Sequence, residues 1–272
     1  MDIISTVGTD NMSLRAAEIT DSAAVSAAAF ICGTVSASFF TCIGSRIAAG
    51  KDWIRGRSTC DACGHVLSAR DLIPVLSYII NRGKCRWCGA RIPPICIISE
   101  LSLGLYYVFA VQRFGLTAES FRCMALSGIL LGLSVVDLEC YMIPDGFIIA
   151  GILLWALTIP FCSGGWWNEV IQGLAGGFLV SGLMLCVSLL FERITGRESL
   201  GGGDIKLFFM TGLFLKPAGS VIALILSCLI GLCFAGILRK TKIPFGQSIS
   251  IAACLSVLYG SLMAQWYLNL FF

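Results

Sequence analysis

The chain has 272 residues, 57% of them hydrophobic and only 13% charged, with a mean hydropathy of +0.88 and a formal net charge of +3. Soluble domains carry about 25% charged residues, so this composition excludes an ordinary globular protein and implies a polytopic membrane protein. Its 14 cysteines do not form a secreted disulfide framework, because most lie inside apolar segments, where cysteine acts as a small hydrophobe.

In chain order, residues 1–22 are polar and of mixed charge, lack the basic n-region of a signal peptide, and read as a short tail. Allowing about 20 apolar residues per crossing predicts spans near 23–47, 94–113, 120–138, 143–161, 168–192, 204–216, 217–238 and 245–271. The sixth of these is short, and with the seventh it can form one bent unit around Lys216-Pro217. The expected fold is therefore all-α, a membrane helical bundle of about eight transmembrane segments. Its parts are the tail at 1–22, a first membrane helix at 23–48, a hydrophilic region at 49–92 and the bundle proper at 93–272.

Lys and Arg set the orientation. With the N-terminus outside, the loops at 46–92, 139–142, 193–206 and 239–242 face the cytosol and hold 15 of the 19 basic residues. The asymmetry satisfies the positive-inside rule. It also puts Asp137 and Asp204 on one cytosolic face, each at the end of an apolar segment.

The hydrophilic region contains Cys60-Asp-Ala-Cys63 and Cys85-Arg-Trp-Cys88, separated by 21 residues. Two CxxC pairs at that distance predict a tetrahedral thiolate zinc site on Cys60, Cys63, Cys85 and Cys88. Four sulfurs complete the shell, so the zinc is structural and His65, the only histidine, is a solvated loop residue. Between the pairs, Asp71 to Ile80 reads as a short amphipathic helix on the membrane surface. Glu100, inside an apolar segment, needs a partner, for which a loop arginine serves. Trp166 and Trp167 fit an outer aromatic belt.

Asp204 follows three glycines, Gly201, Gly202 and Gly203, and opens an apolar run; an ionised carboxylate there is costly unless paired, hydrated or protonated. Asp137 has a matching setting, followed by Pro144 and Asp145 at the restart of the next helix. Two carboxylates sharing one cavity do not both ionise readily, so one holds a proton while the other accepts one. That division suits peptide hydrolysis without a metal or a covalent intermediate: the base activates water and the acid polarises the carbonyl. Glycines beside Asp204 would let a substrate backbone approach. Gly201-Gly-Gly-Asp lacks a GKS/T continuation, which argues against a phosphate cradle, and no nucleic-acid partner is expected. Two other readings stay open on the residues alone: an ion or metal transporter with both aspartates as midplane ligands, or a non-catalytic assembly scaffold docking partners through its zinc loop.

Several boxes, in order, resemble the type IV prepilin peptidases. Ala37-Ser-Phe-Phe-Thr-Cys-Ile-Gly-Ser-Arg46 is similar to the family's GSFLNVxxxR box, with Ala37 for Gly and Thr41 for Asn. Arg57-Ser-Thr-Cys-Asp-Ala-Cys63, Leu72-Ile-Pro-Val-Leu-Ser77, Arg82-Gly-Lys-Cys-Arg-Trp-Cys88 and Glu100-Leu101 follow. Asp137 with Pro144-Asp145, Gly201-Gly-Gly-Asp-Ile-Lys206-Leu207 and Ile243-Pro-Phe-Gly246 complete the series. The resemblance implies a GxGD-type aspartic endopeptidase of the bacterial plasma (inner) membrane that cuts the basic leader of prepilins and pseudopilins at the cytosolic face. It implies Asp137 and Asp204 as the catalytic pair and Cys60, Cys63, Cys85 and Cys88 as the zinc set. It places Gly201, Gly202, Gly203, Lys206, Pro144 and Asp145 around the active site. It further implies methylation of the new N-terminus from S-adenosylmethionine, with pilin-like proteins and membrane lipid as partners.

Overall fold

The computed structural model describes residues 4–53, 55–162, 165–196, 201–238 and 244–271, with side chains described from residue 22 onward except at a few positions near 237–238 and in the last helix. Gly164, Leu200, Ile243 and the basic stretch 239–242 lie outside the described residues. The helices are α1 (Ile4–Ala48), α2 (Leu76–Ile80), α3 (Pro94–Phe114), α4 (Ala118–Cys140), α5 (Asp145–Thr158), α6 (Trp166–Thr195), α7 (Gly202–Leu238) and α8 (Phe245–Phe271). Among the described residues there is no strand, only two isolated bridges in the 49–92 region. Residues 4–22, expected as a tail, continue α1 as helix.

Local chemistry sets the boundaries. Pro94 occupies the first turn of α3, where its missing N–H costs nothing. Thr117 accepts the Ser120 N–H and begins α4. Pro144 precedes α5. Within α7 only Lys216 leaves helical backbone, at φ 59 and ψ 172, and Pro217 then starts a second arm.

That break reverses the chain. The Phe245 ring of α8 lies 6.2 Å from the Phe208 ring on the first arm. Its edge also lies within 3.3 Å of where a Cβ on Gly231 of the second arm would be. Gly219, just after the break, sits beside Gly260 near the other end of α8. The stretches 204–216 and 217–238 are thus antiparallel arms of one kinked element. By length and composition, five helices are apolar enough to cross a membrane, counting α7 once; Asp145–Phe161 and Phe245–Gly260 are shorter apolar helices. The eight apolar stretches expected from the sequence map onto these elements.

Small residues let the helices approach, as they do where lipid removes the hydrophobic incentive to associate. A Cβ on Gly33 would stand 2.7 Å from the Gly104 Cα, joining α1 to α3. One on Gly212 would stand 2.7 Å from the Gly176 oxygen, joining α7 to α6. The largest buried cluster, including Leu130, Leu133, Val136, Phe147, Leu207, Phe208, Met210 and Ile249, unites α4, α5, α7 and α8. It lies directly against the end of the bundle that carries the two aspartates.

Candidate functional site

Asp137 lies one turn before the end of α4 and is 4% exposed. Its Oδ2 accepts the Gln247 N–H at 3.1 Å. Gln247 belongs to the first turn of α8, whose N–H groups have no intrahelical acceptor. The carboxylate is therefore seated on a helix N-terminus contributed from 110 residues away. Gly246 makes the seat possible, because a Cβ there would stand 2.9 Å from Asp137 Oδ2 and 3.2 Å from its Cγ.

Asp204 is the third residue of α7, and its N–H donates to the Gly201 carbonyl at 3.0 Å. Among the described residues its carboxyl makes no hydrogen bond. It lies within electrostatic range of Asp137. Ile143 packs between the two neighbourhoods: its Cβ would be 3.0 Å from a Cβ on Gly203, and its Cδ1 3.2 Å from one on Gly246. Two acidic side chains far apart in sequence thus lie within electrostatic range of each other at one end of the bundle. Both are at helix ends. The three glycines divide their roles: Gly203 packs on Ile143, a Cβ on Gly202 would meet nothing, and one on Gly201 would meet only Asp204 Oδ2 at 3.5 Å.

Lys206 donates to Asp145 Oδ1 at 2.7 Å, an exposed pair that ties the starts of α5 and α7 together. Pro144 is the residue just before α5, and the Phe147 N–H donates to its carbonyl. Beside the Lys206–Asp145 pair, Ile148, Ile149, Ile152, Ile205 and Phe209 line a groove of about 440 Å³ between α5, α6 and α7.

The four cysteine sulfurs of the 49–92 region lie within 4.8 Å of one another, with Cys60 Sγ 3.9 Å from Cys88 Sγ. Tetrahedral ligands about 2.3 Å from a zinc stand roughly 3.8 Å apart, so the donor set fits that ion. The two pairs are built alike. Gly64 and Gly89 donate to the carbonyls of Cys60 and Cys85 at 2.8 and 2.9 Å. Both glycines need φ near +70°, which turns the chain back under the sulfurs. Bridges Thr59–Val66 and Lys84–Arg91 close each loop. The N–H groups of Cys63 and then Ala62 favour the Cys60 thiolate and bring its thiol down to about 7. His65 is not among the sulfurs; it packs its ring on Trp87, with centroids 4.2 Å apart.

Two expectations are corrected. Among the described residues Glu100 does not pair with an arginine: its Oε2 accepts the Val75 N–H at 2.7 Å. Asp71 to Ile80 is not one helix, because Pro74 splits it into a 3₁₀ turn at Ala69–Leu72 and the five-residue α2. Thr41, in the position of the family's asparagine, donates from its Oγ1 to Ser99 Oγ at 3.1 Å and so ties α1 to α3.

Sequence reasoning missed a second charged group at the opposite end. Glu169 of α6 accepts Lys216 Nζ at 2.6 Å and faces Arg122 NH1 at 3.5 Å. Arg122 also lies 4.9 Å over the Phe214 ring and donates to Cys162 Sγ at 3.0 Å. The signal was present, since Glu169, Arg122 and Lys216 all fall within or against apolar segments. Trp166 and Trp167, stacked with centroids 4.0 Å apart, are exposed at the same end.

Residues 31–114 match the family described as the bacterial peptidase A24 N-terminal domain, and residues 124–236 the type IV leader peptidase family. The prepilin leader peptidase/N-methyltransferase of Aeromonas hydrophila is 32% identical over 234 residues, covering 79% of this chain and 76% of its own. That of Bacillus subtilis is 29% identical over 251 residues, covering 89% of this chain and 97% of its own. No solved structure matches the chain. Both halves of the bundle, and the arrangement that joins them, lead to one conclusion: the chain is an integral membrane protein of the type IV leader peptidase family.

Proposed function

We propose that the protein is a membrane aspartic endopeptidase that removes the basic leader from prepilins and pseudopilins, with Asp137 and Asp204 as its catalytic pair. The observation that carries the reading is that these two carboxyl groups lie within electrostatic range at one end of the bundle, Asp137 fixed by the α8 N-terminus and Asp204 with no hydrogen bond to its carboxyl among the described residues. One carboxyl in its protonated form polarises the scissile carbonyl while the other, as carboxylate, takes a proton from the attacking water. Lys206 and Asp145 hold α5 against α7 beside the pair, and the open backbone at Gly201 and Gly202 leaves room for an extended substrate. On the positive-inside argument the pair faces the cytosol of the plasma membrane, level with a bond between a basic leader and an apolar helix.

The four thiolates would hold a structural zinc, whose bonds to all four sulfurs would fix the 49–92 region. Methylation of the freed N-terminus is supported by the names of the relatives. A donor such as S-adenosylmethionine would bring a sulfonium cation, which a carboxylate would face.

The test is co-expression with a prepilin, reading the mass of its N-terminus. Asp137→Asn and Asp204→Asn should each abolish leader removal while the variant remains folded in the membrane. Full processing by either variant refutes the pair.

A further inference from the structure

We propose that the 69–80 segment of the cysteine-rich region is an interfacial membrane anchor, with its apolar face in the acyl boundary of an anionic bilayer. The proposal needs only that the chain lies in a membrane and is independent of the peptidase reading.

The segment exposes what a water-facing loop would hide. Leu72, Ile73, Leu76, Ile79 and Ile80 all stand open, Ile79 at 60% and Ile80 at 75%, and no described part of the chain covers them. Contiguous apolar exposure of this kind marks a surface awaiting an apolar partner. The segment's position against α3 is fixed independently. Glu100 receives the Val75 N–H, and Val75 adopts φ 62 with ψ −53, a tight-turn conformation that a β-branched residue rarely accepts. The backbone is therefore held at this point against its own preference. Glu100 lies six residues inside α3, about 9 Å along the axis from its first turn. Interfacial helices bury their apolar face about 5–10 Å into the headgroup and acyl boundary, the depth this tether gives when α3 enters the bilayer at its first turn.

Continuity and charge identify the occupant. Ile98, Leu101 and Leu105 of α3, a helix long enough to cross a membrane, are exposed too, and Val75 ties the segment to that helix through Glu100. Residues 49–91 carry eight Lys and Arg against three Asp, and Arg70, Arg82, Lys84 and Arg86 flank the apolar turn and are exposed. Apolar residues at acyl depth with a basic collar at headgroup height fit an anionic lipid surface.

The test uses the full chain in nanodiscs with p-benzoylphenylalanine at position 80, illuminated and read by mass. In phosphatidylethanolamine with phosphatidylglycerol, the expected product is an acyl-chain adduct, several-fold more abundant than in phosphatidylcholine alone. Cross-links only to another segment, to a second copy or to no partner would overturn the proposal, and equal yields in the two membranes would overturn its anionic preference. Glu100→Ala should lower the adduct several-fold with zinc content unchanged, and Glu100→Gln, which keeps an acceptor, should restore it. An adduct indifferent to Glu100→Ala removes Glu100 as the anchor.

Discussion

Gly246 shows how little space separates a seated carboxylate from a displaced one. Ala tolerates the first turn of α8 perfectly well as backbone, and the tip of Ile143, 3.2 Å away, can turn aside, so the cost of Gly246→Ala falls chiefly on Asp137, whose Oδ2 would be 2.9 Å from the new methyl group. The carboxylate must shift or lose the Gln247 N–H. Misplacing a catalytic group by about 1 Å costs roughly 10²-fold in rate, and a drop of that order in leader cleavage is expected, with thermal stability close to that of the parent. Loss of folded protein in place of slowed cleavage would mean that the glycine serves packing alone. The cysteines give a second residue-level outcome. In metal-stripped protein, Cys60 should alkylate as pH rises through about 7, because the Cys63 and Ala62 N–H groups stabilise its thiolate. Cys88 should lag: it accepts the Ala90 N–H, yet partial desolvation and the neighbouring sulfurs of Cys63, Cys85 and Cys60 hold its thiol up to about 11. Mass mapping of the alkylated peptides across pH checks the order. Asp137, Asp204 and the four cysteines were legible in the sequence because each is a charge or a thiol set against its surroundings. Gly246 and the Gln247 N–H were not, because a backbone donor supplied from a distant helix leaves no local mark on composition or spacing.

The elements show the same division. Apolar length found the long helices, and Lys216-Pro217 marked the bend in α7, because a prolyl residue cannot continue a helical ladder. What holds the bend was invisible. Glu169 fastens Lys216 at the turn between the two arms while Arg122, 10% exposed at its side chain, faces the same carboxylate. A one-body reading of Asp71 to Ile80 failed for the converse reason: apolar periodicity outvoted Pro74, whose fixed φ and missing N–H break so short a segment. Glu169→Ala should strand Arg122 without its counter-charge. Breaking a buried pair of this kind costs about 3–5 kcal/mol, which corresponds to a fall of roughly 10 °C in melting temperature. The first arm of α7 carries Asp204 at its other end, so cleavage should weaken together with stability. An Arg122→Met, Glu169→Ala double variant, which removes the stranded charge, should recover part of the loss. Melting curves of the single and double variants in one detergent compare the two; no recovery would place the loss in packing and not in the charge.

At the level of the molecule, two parts are stabilised by different means. The helical bundle has an extended buried cluster across α4, α5, α7 and α8. The 49–92 region has almost none: among its described residues, Cys85 alone is buried. A stretch of that length without a core cannot offset the entropy of ordering its backbone, so another source of stabilisation is required. Zinc binding releases on the order of 10–16 kcal/mol in small zinc-finger peptides, enough to order such a region by itself. Purified without chelator, the protein should hold about one zinc per chain, and replacing two of the four cysteines by serine should abolish it. Stripping the metal should raise hydrogen exchange and protease sensitivity across residues 55–92 while α3 to α8 keep their helical signal. The bridges at Thr59–Val66 and Lys84–Arg91 should exchange first, since each closes a loop whose geometry depends on its sulfurs. If the helices melt along with the loop, the region is an integral part of the bundle and not a separately stapled module. If the loop stays protected without metal, packing onto the membrane and α3 through Glu100 is sufficient to order it, and the zinc would be dispensable for its fold.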